Sequence, residues 1–150
     1  MSLDLEVQSL REVPMFSGVE PARLKLIAFA SDRVAFAAGE TVFKQGGQSD
    51  GAYIILAGSA DVTVSAGDTE IVVASVGRNA LIGEMGILTG SPRSASVLAT
   101  TDLSALRIRK DVFFDLAREF PGVAVAIMRD LAKRLERTNA LLAETRTSSD

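Results

Sequence analysis

The spacing of apolar positions changes period twice along the chain. Leu3, Leu5, Leu10 and Val13 predict a helical lead-in from Met1 to Ser17. A second helix is expected after Pro21, since proline suits a first turn, where its missing N–H has no partner to lose. Its apolar set is Leu24, Ile27 and Ala28, broadened by Leu26 and Phe29. Between Arg33 and Arg109 the helical period gives way to short β-branched runs separated by glycines: Thr41–Phe43, Tyr53–Leu56, Val62–Val64 and Ile71–Val73. Short strands with turn signals every 8–12 residues or so predict an antiparallel barrel or sandwich. Ser65–Asp68 reads as a hairpin tip, and Asn79 as a turn position that tolerates positive φ. After Lys110 the helical period returns through Val112, Phe113, Leu116 and Phe120. Pro121 breaks that helix and starts a last one, expected from about Gly122 to Thr145 with a frayed tail beyond it.

Composition narrows the chemistry. The chain has 150 residues, 47% hydrophobic and 23% charged, which fits one globular domain over residues 1–150. It contains no cysteine and no histidine. Disulfides, thiolate nucleophiles, Cys/His zinc sites and Ser-His-Asp or Cys-His triads are therefore excluded. An all-carboxylate metal site survives on composition alone. The net charge is -3, without the basic footprint that unaided nucleic-acid binding requires. No apolar run approaches the roughly 20 residues of a membrane span, and no secretory signal leads the chain. A cytoplasmic binding or regulatory module is expected ahead of an enzyme.

The segment from Leu81 to Val97 carries the most chemistry. One acid, Glu84, and one Arg, Arg93, lie nine residues apart among glycines and hydroxyls. Gly83 and Gly86 permit close backbone approach. A helical turn over Glu84–Leu88 would present free N–H groups to an anion, and Arg93 would add a bidentate fork. Glu84, an acceptor when ionised, would take hydrogen bonds from a sugar hydroxyl. Together these features suggest a phosphorylated sugar. The residues alone fit equally well a Glu–Arg surface pair flanking a glycine-rich turn.

Gly83-Glu84-Met85-Gly86 followed by Pro92-Arg93-Ser94-Ala95 resembles the phosphate-binding cassette of cyclic nucleotide-binding domains. Phe36–Glu40, Gln45-Gly46, Asp50 and Tyr53–Gly58 match the rest of that family's pattern, so the resemblance covers about residues 12–144. It implies an α+β fold: an eight-stranded antiparallel jelly-roll-like β-barrel with N-terminal helices and a long C-terminal helix. It also implies that Arg93 pairs with the cyclic phosphate and Glu84 with the ribose 2′-hydroxyl. Ser94 would reach the phosphate, Gly83 and Met85 would supply close backbone contacts, and Val62 and Val73 would line the purine. The family often has Gly-Asp where this chain has Asn79-Ala80.

In the last helix, Met128, Leu131, Leu135, Thr138 and Leu142 are spaced 3-4-3-4, a short heptad seam. By itself so short a seam favours an amphipathic helix packed on its own barrel, since a coiled coil needs about three or four heptads. The segment Leu131–Asn139 also resembles the dimer helix of catabolite activator-type regulators. That resemblance implies a homodimer, with Thr138 of one subunit and Asn139 of the other meeting the adenine amino group. Arg129, Lys133, Arg134 and Arg137 read as a solvated face rather than a nucleic-acid contact, with no room after Thr145 for a helix-turn-helix.

The expected function is therefore binding of a cyclic purine nucleotide, cAMP ahead of cGMP, as a regulatory signal passed on through the last helix. No catalysis, metal or further cofactor is expected. The alternatives are the sensor half of a longer transcription regulator, or an interaction module of the same fold that binds no cyclic nucleotide.

Overall fold

The computed structural model describes residues 4–149; of these, the side chains of residues 130, 134, 138, 141, 142 and 144–149 lie outside the description. Leu3 of the lead-in and Asp150 of the expected tail lie outside it altogether. Helix α1 spans Asp4–Glu12, with Asp4 and Glu6 in its first turn and Arg11 in its last, matching the helix dipole. A 3-10 turn, Pro14–Phe16, leads to α2, Pro21–Ala30, whose first residue is the expected proline. Eight strands follow: β1 Asp32–Phe36, β2 Thr41–Phe43, β3 Gly51–Ala57, β4 Ala60–Ala66, β5 Thr69–Val76, β6 Leu81–Ile82, β7 Ser96–Ala99 and β8 Leu103–Arg109. Helix α3, Glu84–Thr89, sits between β6 and β7, and α4, Lys110–Glu119, and α5, Pro121–Ser149, close the order.

The strands form two antiparallel four-stranded sheets, ordered β1-β8-β3-β6 and β2-β7-β4-β5. Among the described residues no ladder joins one sheet to the other. The expected closed barrel is instead a pair of facing sheets. Strand β3 shows why the two are inseparable. Gly51 to Leu56 are all buried. Ala52, Ile54 and Leu56 pack toward the helices, with Leu10, Phe16, Leu24, Leu106, Ile108 and Phe113. Tyr53 and Ile55 face the other way, with Val97, Ala99 and Leu103 between the sheets. A strand buried on both faces reads as a continuous apolar run, because alternation would put a polar side chain into one core.

Three departures from the sequence expectation have local causes. Leu26 and Phe29 do not broaden the buried face of α2; both are exposed, because α2 packs through the single stripe of Leu24, Ile27 and Ala28. The last helix begins at Pro121 and continues to Ser149, beyond the expected end at Thr145. The break itself falls where proline demanded it. Phe120 leaves the helical region at φ -123 and ψ 92. The third departure is a β-bulge. Val62 pairs with Ala74 and Thr63 with Val72, so Val73 is the extra residue of the β4·β5 ladder.

Candidate functional site

The site is built where the end of one sheet meets the turn into α3. Gly83 joins β6 to α3 at φ 83, a left-handed conformation that glycine adopts without cost. A Cβ there would collide with Nη1 of Arg93 and press on the Phe43 ring. A Cβ on Gly86 would collide with Ser49, whose hydroxyl donates to the Ser91 carbonyl at 2.7 Å. Both glycines are thus required by close approach. Asn79 has the positive φ expected of it, 71°, and its N–H reaches the Ile55 carbonyl at 2.7 Å. The turn that departs from the family's usual Gly-Asp is therefore made by an asparagine in a left-handed conformation.

Arg93 is fixed at its backbone and at its guanidinium. Its N–H donates to the Gly47 carbonyl and its carbonyl accepts from Gly46, both at 2.8 Å, clamping it to the turn before β3. Its Nη1 donates to the Gly83 carbonyl at 2.9 Å and its Nη2 to the Gly51 carbonyl at 2.7 Å. Its Cζ lies 4.1 Å from the centroid of the Phe43 ring, a cation–π contact. Asp50 Oδ1 is 3.5 Å from Nη2, while Asp50 Oδ2 accepts from Arg107 at 2.7 Å, so one carboxylate bridges two guanidinium groups. Arg93 is only 4% exposed, and its Nε is buried without a partner. Burial pushes its pKa below the ordinary arginine value, against the opposing influence of Tyr53 and Asp50.

Glu84 is 6% exposed and opens α3. Both charged residues of the cassette are therefore buried, which removes the reading of a solvated surface pair. A cavity of about 300 Å³ is lined by Glu84, Arg93, Gly83, Met85, Ser94 and Val62. Six of the nine expected site residues thus share one cavity. Val73 does not join them: it is 58% exposed, and Ala74 lines the cavity instead, as the bulge dictates. Asn139 lies exposed on α5, outside the described lining. The side chain of Thr138 lies outside the described residues. Phe43, which stacks on Arg93 and lines the cavity, was not singled out from sequence. Nor was a role for Asp50, although it stands within the matched pattern.

The rest of α5 bears on the seam. Leu131 is partly buried against the helix-side core, whereas Met128 is 61% and Leu135 62% exposed. Leu142 has its side chain outside the described residues. Among the described residues, no group of three or more Asp and Glu is arranged to hold a metal ion, and no helix is long and apolar enough to cross a membrane.

Comparison with known proteins agrees with this geometry. Residues 33–120 match the family described as "Cyclic nucleotide-binding domain". The CRP-like cAMP-activated global transcriptional regulator of Mycobacterium tuberculosis is 31% identical, aligned over 90% of this chain and 61% of its own length. Lysophospholipase nte1 of Aspergillus fumigatus is 32% identical over 89% of this chain but only 10% of its own. The solved catabolite activator protein of Thermus thermophilus superposes with a TM-score of 0.79 at 29% identity, covering 86% of this chain and 61% of that one. The chain thus spans about three fifths of the bacterial regulators it resembles and a tenth of the fungal lysophospholipase. By the matched segment and by the fold around it, this chain belongs to the cyclic nucleotide-binding domain family.

Proposed function

We propose that the cavity beside α3 binds a cyclic purine nucleotide, cAMP in preference to cGMP, and that the domain spans about residues 12–144. The observation that carries this reading is the Nε–H of Arg93, a buried donor without an acceptor on a side chain that lines the cavity. Leaving such a donor unpaired costs about 1–3 kcal/mol, and a phosphate oxygen would remove that cost. The other guanidinium nitrogens are already tied to the Gly83 and Gly51 carbonyls, so the group is held ready rather than ordered on binding. Glu84 takes the ribose 2′-hydroxyl, Ser94 adds a hydroxyl to the phosphate, and Val62 lies against the purine. The cavity volume is at the lower end of the range for small-ligand sites.

Helix α5 carries the signal in this reading. Thr138 and Asn139 meet the adenine amino group when α5 moves over the cavity, with Phe120–Gly122 as the hinge. The exposed Met128 and Leu135 support a homodimer through α5. The chain then acts by binding and not by catalysis, and its output belongs to whatever reads α5. The 61% coverage of the mycobacterial regulator favours a place as the sensor part of a longer regulator.

Titration calorimetry with cAMP, cGMP and 5′-AMP tests the reading. Saturable binding of cAMP is expected, weaker binding of cGMP, and weaker still of 5′-AMP, whose open phosphate carries nearly two charges and a larger hydration shell. Equal affinity for cAMP and 5′-AMP would reduce the cavity to a generic anion pocket.

A further inference from the structure

A second concavity, of about 830 Å³, adjoins the first through Glu84, which lines both. One wall is the turn after α1, with Val13, Met15 and Val19; the other is the first half of α5, with Val123 and Ala126. Its volume is that of a small-molecule site, and its walls are mostly apolar. Besides the buried carboxylate of Glu84 and the hydroxyl of Ser17, two polar features stand out against that lining. The Oδ1 atom of Asn79 is buried and has no hydrogen-bond partner. Arg129 and Lys133, one helical turn apart, border the groove, and neither makes an ion pair among the described residues. In a chain of net charge -3, two adjacent cations with no ion pair among the described residues, beside an apolar groove, form a local asymmetry.

We propose that this groove is a second ligand site, for a single-chain acyl amphiphile whose head group carries an anion and a hydroxyl. The chain lies along Val13, Met15, Val19, Val123 and Ala126, where each buried methylene leaves water. The anion lies at Arg129 and Lys133, and a hydroxyl donates to Asn79 Oδ1, removing the unpaired acceptor. A cyclic nucleotide does not fit this description, since its polar sugar would displace water from an apolar wall without replacing the lost hydrogen bonds. Two sources supply the chemistry: a lysophosphatidate and a 3-hydroxy fatty acid.

The test is calorimetry on the full chain below micellar concentrations. The probes are 1-dodecanoyl-lysophosphatidate, 3-hydroxydodecanoate, dodecanoate and the neutral dodecyl maltoside. One-to-one binding is expected for at least one of the two hydroxylated anions, and the tighter of them identifies the source. Shortening the chain from twelve to ten carbons should weaken binding roughly fifteenfold, about fourfold for each methylene. The exposed double variant Arg129→Glu with Lys133→Glu should lose at least about tenfold, while Asn79→Gly, which keeps the left-handed turn, should erase the advantage over dodecanoate. Circular dichroism melts confirm that both variants fold. Binding of dodecyl maltoside as tight as that of the anions, or binding indifferent to the charge reversal, would overturn the proposal. No nucleotide takes part in these titrations, so failure of the groove and failure of the nucleotide reading are separately visible.

Discussion

Arg93 and Asn139 are proposed to meet the same ligand, yet they stand in opposite surroundings. Arg93 is buried, clamped through its backbone to the Gly46–Gly47 turn and through its guanidinium to two carbonyls. Asn139 is exposed on a helix whose apolar residues Met128 and Leu135 face solvent. In the proposed complex, the cost of ordering the phosphate half is met during folding, while the cost of ordering the base half is deferred to binding. A ligand that bridges the two biases the position of α5, provided it binds the two arrangements unequally. Affinity should be dominated by the first half and signalling by the second.

Arg93→Ala breaks that contrast most severely. It removes the phosphate partner and leaves the Gly83 and Gly51 carbonyls without their donor, so cAMP affinity should fall roughly 30-fold to several thousand-fold, equivalent to about 2–5 kcal/mol. Unchanged affinity by calorimetry would end the assignment of Arg93 as anchor. Next in size is Thr138→Ala with Asn139→Ala. It should cost about 1–3 kcal/mol of cAMP affinity and leave binding of ribose 3′,5′-cyclic phosphate nearly unchanged. Hydrogen exchange sharpens this result: cAMP should protect residues 120–142 as well as 81–97. Protection of the cassette alone would make α5 a spectator.

Gly83→Ala probes preorganisation itself. A left-handed alanine costs about 1–2 kcal/mol, and its methyl group must also push Arg93 aside. A lower urea midpoint with weakened cAMP binding is expected; a loss of stability with affinity intact would show that the guanidinium needs no fixed position. Asp50→Asn should do less. Asp50 is about half exposed, and its bridge between Arg93 and Arg107 is screened by water, so about 1 kcal/mol or less of stability is expected to be lost.

The smallest expected effect is that of pH between about 6 and 9. The chain has no histidine to titrate there. Burial lowers the pKa of Arg93, but an arginine remains protonated in folded and unfolded chains alike across this range. Only in strongly alkaline solution would the folded state bind fewer protons than the unfolded one, and there this group's contribution to stability would rise with pH. A calorimetric affinity that changed severalfold between pH 6 and 9 would point to a titrating group other than Arg93.

The parts of the molecule that were legible in the sequence are those governed by local rules. Pro121 had to end one helix, Asn79 could take a positive φ, and the unbroken apolar run Tyr53–Leu56 had to be a strand; that both its faces are covered is a finding of the structure. The cassette was legible because close approach admits only glycine at positions 83 and 86, leaving a motif in the chain. Val73 was misplaced because a bulge carries no composition signal: alternation along β5 gives no warning that Val62 faces Ala74 and Thr63 faces Val72. Phe43 was missed for a similar reason. A strand phenylalanine looks like core, and only the long-range clamp between positions 46–47 and 93 brings it over a guanidinium. The salt bridge of the buried Glu6 with Arg33, 2.9 Å long, gave no sign either, since nothing in a helix pattern tells which acid will be covered.

The order of strands in the sheets also sets how the chain comes together in time. Strand β8 lies between β1 and β3, pairing Arg33 with Leu106 and Ile54 with the same residue from the other side. The hairpin of β4 and β5 can form within microseconds, but the sheet carrying β3 cannot close until Arg109 has been made. At roughly 5–20 residues per second, the apolar stretch Gly51–Leu56 therefore waits about 3–10 s on the ribosome without its β8 neighbour. Refolding of the free chain should be slow for the same reason, on the millisecond-to-second scale of non-local β topologies. The hazard of misassociation during synthesis is fixed by the position of one late strand, and it ends only when β8 arrives.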